Sequence, residues 1–383
     1  MKILQRILIV LIGAMMLLGA LLVFSASGNY SQMRLENFYA LFKSHIWKVL
    51  LSGGFMIFFS MVPYELYKKY SKHIIIFAII LLVYTYFAGV RAKGASRWIN
   101  LGFMTFQTSE FAKLALIIHL AKLIEKKGEL LDSFNDGYRY IVVWIFVVAG
   151  LILIQPNVST SLIIVMLGFT ILFVAGARMR HIFSTLGVAG ALSGSVMMLF
   201  AHSRERILTF FSSVNGGGEI NIQVRQAKIA LGSGGVWGLG IGQSRQSAGF
   251  LPESYGDFIF SILGEEFGFI GAVLVLLIFF FIFLIGLVIA KKANDRFAQL
   301  LALGISFNII ISALINAGVV SGVLPTTGIT FPFISFGGTS IILFGISVGI
   351  LLNISRSIVR ERNHKNKANT NKAKNPDMAS ASV

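Results

Sequence analysis

Long apolar runs alternate with short polar segments along almost the whole chain, and this pattern predicts a bundle of membrane-crossing helices. A mostly apolar run of about 20 residues crosses the ~30 Å hydrocarbon core at 1.5 Å per residue. We therefore predict an all-α integral membrane protein with ten transmembrane helices and one large loop, 202–256, between spans 7 and 8. The predicted spans are residues 6–27, 46–63, 73–90, 107–125, 139–156, 159–177, 181–201, 257–290, 298–321 and 332–354.

The first apolar run has an alternative interpretation as a cleaved signal peptide. Lys2 and Arg6 precede it, and it ends in the small residues Ser25, Ala26 and Ser27. The run is longer than a usual signal-peptide core, and many further spans follow it. A retained first helix is the simpler prediction.

Composition and charge agree with a membrane protein. The chain of 383 residues is 56% hydrophobic and only 13% charged, and it contains no cysteine, which excludes disulfides and thiolate metal sites. Most of the +17 net charge lies beside the spans, and the positive-inside rule then places both termini in the cytoplasm and loop 202–256 outside. Because the charge is not gathered on one folded face, nucleic-acid binding is not expected. The membrane domain is predicted to cover residues 1–354, and the polar, Lys- and Asn-rich residues 355–383 are predicted to form a disordered basic cytoplasmic tail.

Two of the predicted outer loops carry positive charge against the insertion bias, which suggests an anionic ligand on the outer face. These loops are segment 91–107 and loop 202–256. The alternative is that the cationic side chains extend toward lipid phosphates. The residues are Arg91, Lys93, Arg97, Arg204, Arg206, Arg225, Lys228 and Arg245.

The outer loop also contains a glycine-rich stretch, GSGGVWGLGIG, at 232–242. No Gly-Lys-Ser/Thr follows, and no strand precedes it, so neither a P-loop nor a dinucleotide fingerprint is present. We expect the stretch to lie against the membrane surface and to let the backbone approach a bulky ligand.

Charged side chains inside the spans mark further candidates. Glu110 and Lys113 lie three residues apart on one helical face and are predicted to pair, either for packing or for function. Glu265 is predicted to face protein, because Gly264, Gly268 and Gly271 form a small-residue seam suited to close helix packing.

Asp257 stands where the eighth predicted span emerges from the outer loop. Free N–H groups and the helix dipole favour an ionised carboxylate at such a position. Asp257 could be only the N-cap of this helix. Its coincidence with Glu253, the outer arginines and the glycine stretch favours a functional site.

Five segments together resemble, in order and spacing, the motifs of the SEDS membrane glycosyltransferases, the family of FtsW, RodA and SpoVE. They are GASRWINLG (94–102), FQTSEFAKLA (106–115), GSGGVWGLGIGQSRQ (232–246), FLPESYGDFIFSILGEEFGFIG (250–271) and LPTTGITFPFISFGGTSII (324–342). The resemblance implies a peptidoglycan polymerase of the bacterial cytoplasmic membrane that joins lipid II disaccharides on the outer face. It also implies a class B penicillin-binding protein as partner, together with other division or elongation proteins. VFSAS (23–27) and LPTTG (324–328) resemble the division-type FtsW more than RodA, and a sporulation-type homologue is the alternative.

The family's catalytic Asp lies in the motif LPE-x-x-x-D-F and corresponds to Asp257, which we expect to act as a general base. Glu253 would orient the acceptor sugar or a divalent cation, Mg²⁺ or Mn²⁺. The other substrate-binding candidates are Arg97 and Lys113 for the pyrophosphate, Glu110 to hold the lysine, Arg225 and Lys228 on the loop side, and Ser335, Gly337 and Gly338 in the wall of the site.

The chain departs from the family pattern at several positions. The family's Gln-Pro-Asp-x-Gly-Thr is QPNVST here, so Asn157 replaces an acidic residue, and Tyr255-Gly256 replaces His-Thr before the catalytic Asp. Two rival hypotheses stay open, and these changes favour the second. One is a lipid II flippase, against which we see neither internal repeats nor broken helices in matching positions. The other is a non-catalytic scaffold for the transpeptidase.

Overall fold

The computed structural model describes residues 1–92, 95–102, 104–199, 204, 208–209, 221–248 and 250–374, and this part of the chain is mostly helical. Lys93 and Arg206 of the predicted basic set lie outside the described residues. The helices are α1 (Lys2–Leu35), α2 (Ala40–Met61), α3 (Tyr64–Ala88), α4 (Thr108–Lys127), α5 (Arg139–Ile154), α6 (Val158–Val174), α7 (Met179–Leu199), α8 (Ile222–Ser233), α9 (Ile259–Lys292), α10 (Arg296–Val320) and α11 (Gly338–Lys374).

The helices confirm the predicted all-α membrane class. Within the described ranges, seven helices are long and apolar enough to cross a membrane: α1, α2, α3, α5 with the turn before it, α9, α10 and α11. The remaining predicted spans correspond to α4, which carries several charges, to α6, which has 17 residues, and to α7. The total of ten spans and the outer position of the large loop stay predictions.

The first helix is packed into the bundle, as expected for a retained helix. Leu8, Ile12 and Leu22 have no exposed surface. Gly19 lies so close to the loop before α11 that a Cβ there would be 2.7 Å from Ile334 Cα. The first helix is therefore an integral part of the fold.

The segment between α3 and α4 folds as a small antiparallel sheet that the sequence did not predict. Its strands are β1 (Val90–Ala92), β2 (Ala95–Asn100) and β3 (Thr105–Gln107), in the order β1-β2-β3. The alternation of apolar and polar residues here is too short to indicate strands by itself. The N–H of Gln107 donates to Thr339 Oγ1 at 2.8 Å, which attaches the sheet to the start of α11.

Helix α9 is broken at Gly268, although the sequence predicted one continuous span. Gly268 has φ 70° and ψ −171°, a conformation that only glycine adopts readily. The N–H groups of Phe269 and Ile270 donate instead to the carbonyls of Gly235 (2.9 Å) and Val236 (3.3 Å). The glycine-rich stretch thus replaces the missing helical hydrogen bonds.

The last helix extends further than predicted. Its backbone is helical to Lys374, where the sequence predicted disorder from residue 355. Extending an existing helix is far easier than nucleating one, and this segment is free of proline. Residues 375–383 of the predicted tail lie outside the described residues.

Candidate active site

Asp257 lies in the segment that leads into α9, with its side chain partly buried. The helix begins at Ile259, and Phe258 occupies its N-cap position. The interpretation of Asp257 as an N-cap is therefore wrong. The preceding turn closes through a hydrogen bond from the N–H of Gly256 to the carbonyl of Glu253 at 2.9 Å.

Side chains from other elements hold the backbone around Asp257 in place. The amide of Asn316, on α10, donates to the carbonyls of Asp257 (2.8 Å) and Ile329 (2.7 Å). The N–H of Phe336 donates to the carbonyl of Tyr255 at 2.8 Å. These bonds join α10, the 321–337 segment and the Asp257 turn into one support, which limits the positions that the carboxylate can take.

Ser335 belongs to this support. Its hydroxyl donates to the carbonyl of Gly256 at 2.8 Å and accepts the N–H of Phe331 at 2.7 Å. The side chain has only 2% of its surface exposed. Ser335 was predicted to bind substrate, but its hydroxyl instead positions the backbone that carries Asp257. Among the described residues, these two hydrogen bonds are the contacts of its hydroxyl.

The Asp257 carboxylate faces the 321–337 segment at Gly328. A Cβ on Gly328 would lie 3.4 Å from Asp257 Oδ2, and Gly328 has φ 74°. A side chain there would therefore be strained, and its Cβ would be in van der Waals contact with the carboxylate. Glycine at this position therefore suits the backbone conformation of the segment that faces Asp257.

Tyr255 stands beside the carboxylates and is largely surrounded by aromatic rings. Its ring centroid lies 5.3 Å from that of Tyr30 and 5.6 Å from that of Phe336. Burial raises the pKa of the Tyr255 phenol, and the nearby Tyr30, Glu253 and Asp257 raise it further. Tyr255 is therefore protonated at neutral pH and can donate a hydrogen bond at the site.

Arg97, on β2, lies against the turn between α5 and α6. Its guanidinium donates to the carbonyls of Gln155 (3.4 Å) and Pro156. Arg97 also lines an apolar cavity of about 410 Å³ together with Thr327 and Ile329, from the segment that carries Gly328. The structure thus brings Arg97 to a cavity whose wall continues toward Asp257.

Asn157 begins α6 and serves a structural purpose. Its Oδ1 accepts the N–H of Thr160 at 3.4 Å, and its amide lies 3.5 Å from Ser109 Oγ. Asparagine caps a helix as well as aspartate does. The departure from the family pattern at this position therefore preserves the start of the helix.

Glu110 and Lys113 form the predicted ion pair. Lys113 Nζ lies 2.8 Å from Glu110 Oε1, and the side chains are 3% and 13% exposed respectively. The pair is confirmed, whereas its predicted part in steering the pyrophosphate stays a prediction. The ammonium already has a close carboxylate partner.

The remaining candidates surround the same segment. Lys228, on α8, packs against Gly322, where a Cβ would be 2.6 Å from its Nζ, and Arg225 is exposed on the same helix. Gly337 lies close to Thr330, and Gly338 close to the carbonyl of Thr105. The functions of these residues in substrate binding stay predictions, as does that of Glu253, which has a positive φ of 59° in the turn before Asp257.

The glycine-rich stretch approaches α9 rather than an open ligand site. A Cβ on Gly238 would meet the backbone of Glu266, and one on Gly234 would meet the backbone of Gly264. The N–H groups of Leu239 and Gly240 donate to the carbonyls of Glu265 (2.9 Å) and Glu266 (3.0 Å). The predicted close approach exists, but its partner is the broken helix of the protein itself.

Glu265 fixes this arrangement and is fully buried, as predicted. Its Oε2 accepts from the Ser244 hydroxyl (2.5 Å) and the N–H of Gln246 (3.4 Å). Its Oε1 accepts from the N–H of Arg245 (3.1 Å) and the Ser233 hydroxyl (3.3 Å). The partner of the predicted glycine seam is therefore α8 and the following loop.

Sequence reasoning missed Lys48 and His45, which face the site from α2. Lys48 Nζ lies 4.0 Å from the ring centroid of Phe336, and the His45 ring lies 5.9 Å from it. The signal was available in the sequence, since a lysine in the third turn of an apolar span is uncommon.

A metal site formed by protein side chains alone is absent from the described residues. They contain no group of three or more histidine, aspartate or glutamate side chains that could hold a metal ion.

Comparison with known proteins places these features in a family. A family model described as cell cycle protein, FtsW/RodA/SpoVE, matches residues 5–359. The stage V sporulation protein E of Bacillus subtilis is 38% identical over 355 residues, covering 91% of this chain and 96% of that protein. A protein of Trichlorobacter lovleyi named probable peptidoglycan glycosyltransferase FtsW is 34% identical over 358 residues, covering 92% and 93%.

Solved structures have the same fold. A chain from a peptidoglycan synthase complex, described for the coordination of polymerization and crosslinking, matches with a TM-score of 0.76 at 24% identity, covering 92% of this chain and 97% of that one. The rod shape determining protein RodA of Thermus thermophilus matches with a TM-score of 0.67 at 23% identity, covering 91% and 95%.

Proposed function

Because the chain belongs to the FtsW/RodA/SpoVE family, we propose that it is a peptidoglycan glycosyltransferase that polymerises lipid II into glycan strands. The observation that carries this proposal is Asp257, whose carboxylate faces Gly328 and whose backbone is held by Asn316. A carboxylate fixed in this way suits a general base.

The proposed reaction needs one base. Asp257 takes the proton of the acceptor sugar hydroxyl as that oxygen forms a bond to the anomeric carbon of the growing strand. The bond from the anomeric carbon to the polyprenyl diphosphate breaks, and the diphosphate leaves with the electron pair. Because diphosphate is a good leaving group, a second carboxylic acid of the kind that glycosidases use is not required.

We propose that a divalent cation, Mg²⁺ or Mn²⁺, binds at this site together with the substrate. Mg²⁺ is commonly bound through one or two carboxylates together with substrate phosphates and water. Glu253 and Asp257 would supply the carboxylates, and the cation would neutralise charge on the departing diphosphate.

The polyprenyl chain has a suitable groove. A cavity of about 570 Å³ lies between α2, α3, α4 and α11, and its lining is almost entirely apolar. Its residues include Trp47, Phe106, Phe111, Thr339 and Ile342. An apolar groove in the bundle can hold an isoprenoid chain while the sugars stay at the Asp257 end.

The same proposal includes the surroundings of the protein. We place it in the bacterial cytoplasmic membrane with both termini in the cytoplasm, since lysines and arginines flank the spans at that end. A class B penicillin-binding protein is the proposed partner, because the structural relative belongs to a complex described for polymerization and crosslinking. A part in cell division is supported by the FtsW relatives.

The break in α9 favours the flippase, since transporters often use discontinuous helices. Here, however, the N–H groups of Phe269 and Ile270 donate to the carbonyls of Gly235 and Val236. They are therefore not available to a substrate. The break therefore gives transport little support.

The test is to reconstitute the full chain in liposomes with its class B transpeptidase and to supply lipid II and Mg²⁺. We expect glycan strands, measured by gel electrophoresis. Movement of fluorescent lipid II across the bilayer without glycan would instead establish the flippase. If neither activity occurs, the scaffold hypothesis is supported and the proposal is refuted.

A further inference from the structure

A lysine and a histidine on α2 meet the first residues of α11. Lys48 Nζ lies 4.0 Å from the Phe336 ring centroid, and its Cε lies 4.0 Å from the place that a Cβ on Gly338 would take. Gly338 is the first residue of α11. In the part of the chain that the structure describes, Lys48 has no carboxylate partner.

His45 lies one turn before Lys48 on the same face of α2. It has no exposed surface, and within the described residues neither of its ring nitrogens has a hydrogen-bond partner. Burying such a polar group without a partner is costly, and its ring leaves a donor and an acceptor beside Lys48 that a ligand can satisfy. The N-terminus of α11 adds free N–H groups and the positive end of the helix dipole, which favour an anion.

This cationic position adjoins Asp257. The Lys48 ammonium makes a cation–π contact with the Phe336 ring. The backbone N–H of Phe336 donates to the carbonyl of Tyr255, two residues before Asp257, at 2.8 Å. The position also adjoins the apolar groove, because that groove is lined by Trp47 and Thr339, the neighbours of Lys48 and Gly338 in the chain. A ligand with an anionic head and a long apolar chain matches both.

The cations predicted to steer the pyrophosphate are already engaged. Lys113 is paired with Glu110 at 2.8 Å, and Arg97 donates to the carbonyls of Gln155 and Pro156. A lysine without a carboxylate partner can instead provide its full charge to a phosphate.

We propose that Lys48, with His45 and the N-terminus of α11, binds the diphosphate of the polyprenyl-linked sugar. This inference rests on the proposed function and deepens it by naming the residues that hold the leaving group. Lys48 would stabilise the negative charge that gathers on the diphosphate as the glycosidic bond breaks.

The test measures binding without turnover. The probe is undecaprenyl diphosphate, titrated against the purified full chain in detergent, with undecaprenyl monophosphate, inorganic pyrophosphate and phosphatidylglycerol as comparison ligands. We compare wild type with Lys48→Gln, with Lys48→Met, which keeps the length and packing of the stem, and with Lys48→Arg. Lys43→Gln is the matched control, because Lys43 is an exposed lysine on the same helix.

Loss of Lys48 should weaken the binding of undecaprenyl diphosphate by about 10-fold or more, the scale of a hydrogen bond to a charged group. Lys48→Arg should restore part of the affinity, and Lys43→Gln should bind as wild type does. The melting temperatures of the variants show whether they remain folded. Inorganic pyrophosphate should compete weakly, because it lacks the chain that fills the groove.

Wild-type affinity in both Lys48→Gln and Lys48→Met would overturn the proposal, as would equal affinity of the wild type for undecaprenyl diphosphate and phosphatidylglycerol. Asp257→Asn separates the two claims when the titration is done in EDTA without divalent cation, since it should then bind the diphosphate as wild type does even though polymerisation is lost. If the wild type binds through Lys48 but makes no glycan, the binding site stands and the proposed function fails.

Discussion

The two adjacent carboxylates of α9 should respond very differently to the same substitution. Glu265 accepts four hydrogen bonds, from the hydroxyls of Ser233 and Ser244 and from the N–H groups of Arg245 and Gln246, at 2.5 to 3.4 Å. Glu265→Gln removes the negative charge and places an amide NH₂, itself a donor, against one hydroxyl and one backbone N–H that now donate to Glu265. At least one backbone N–H then loses its acceptor.

The magnitude follows from these contacts. A hydrogen bond to a charged group contributes about 1.5–3 kcal/mol, and an orphaned buried donor costs about 1–3 kcal/mol. We therefore expect Glu265→Gln to lower the free energy of unfolding by about 3 kcal/mol, or several °C in melting temperature. Glu266 is the matched control, because its Oε1 accepts from Ser25 and from the N–H of Gly242 while its Oε2 has no partner among the described residues.

Glutamine at position 266 can keep its oxygen at the bonded site and place its NH₂ at the other, so Glu266→Gln should cost about 1 kcal/mol or less. The assays are thermal unfolding in detergent and the rate of tryptic cleavage after Arg245, an exposed residue whose N–H is held by Glu265. Only Glu265→Gln should accelerate cleavage. Equal effects of the two substitutions on both assays would refute the assignment of Glu265 as the residue that fixes the loop.

Three further outcomes are expected. Gly268→Ala should lower the free energy of unfolding by about 1–3 kcal/mol, because φ at this position is 70° and a Cβ would be 2.6 Å from the Trp237 carbonyl carbon. Gly232→Ala is the control and should be nearly neutral, because a Cβ there would meet open space. Thermal unfolding measures both. Asn316→Ala should slow polymerisation by about 10- to 100-fold, because it releases the backbone that carries Asp257. Asn316→Asp should be equally slow, since a carboxylate cannot donate a hydrogen bond to the two carbonyls. A wild-type rate in Asn316→Ala would contradict the role of Asn316. Because the pKa of Tyr255 is raised in the folded protein, its contribution to stability is fully present below about pH 10, the ordinary tyrosine pKa, and is lost as the pH rises further. Tyr255→Phe should therefore lose less melting temperature above pH 10 than wild type does. An equal loss in the two proteins would contradict this prediction.

Much of the helical architecture could be predicted, because hydropathy over 20 residues is a local property of the chain. Each predicted span corresponds to a helix, and the ion pair of Glu110 and Lys113 follows from their spacing alone. The break at Gly268 could not be predicted, because a glycine within an apolar run is also compatible with a straight helix. It depends on hydrogen bonds from α9 to a loop about 30 residues away in the chain.

The site was predicted in part for the same reason. Asp257 and Glu253 stand together in one short segment, so the sequence brings them close without any knowledge of the fold. Lys48 approaches that segment at Phe336, a residue nearly 300 positions later in the chain. Ser335 was assigned to substrate because of its position, whereas the tertiary structure directs its hydroxyl to the backbone of Gly256.

The most direct test of the central claim is polymerisation of lipid II by wild type and by Asp257→Asn in matched liposomes containing the class B transpeptidase. General base catalysis contributes about 10²- to 10⁴-fold in rate, so Asp257→Asn should lose at least about 100-fold while its melting temperature stays close to wild type. Glycan synthesis by Asp257→Asn at the wild-type rate would contradict the assignment of Asp257 as the base.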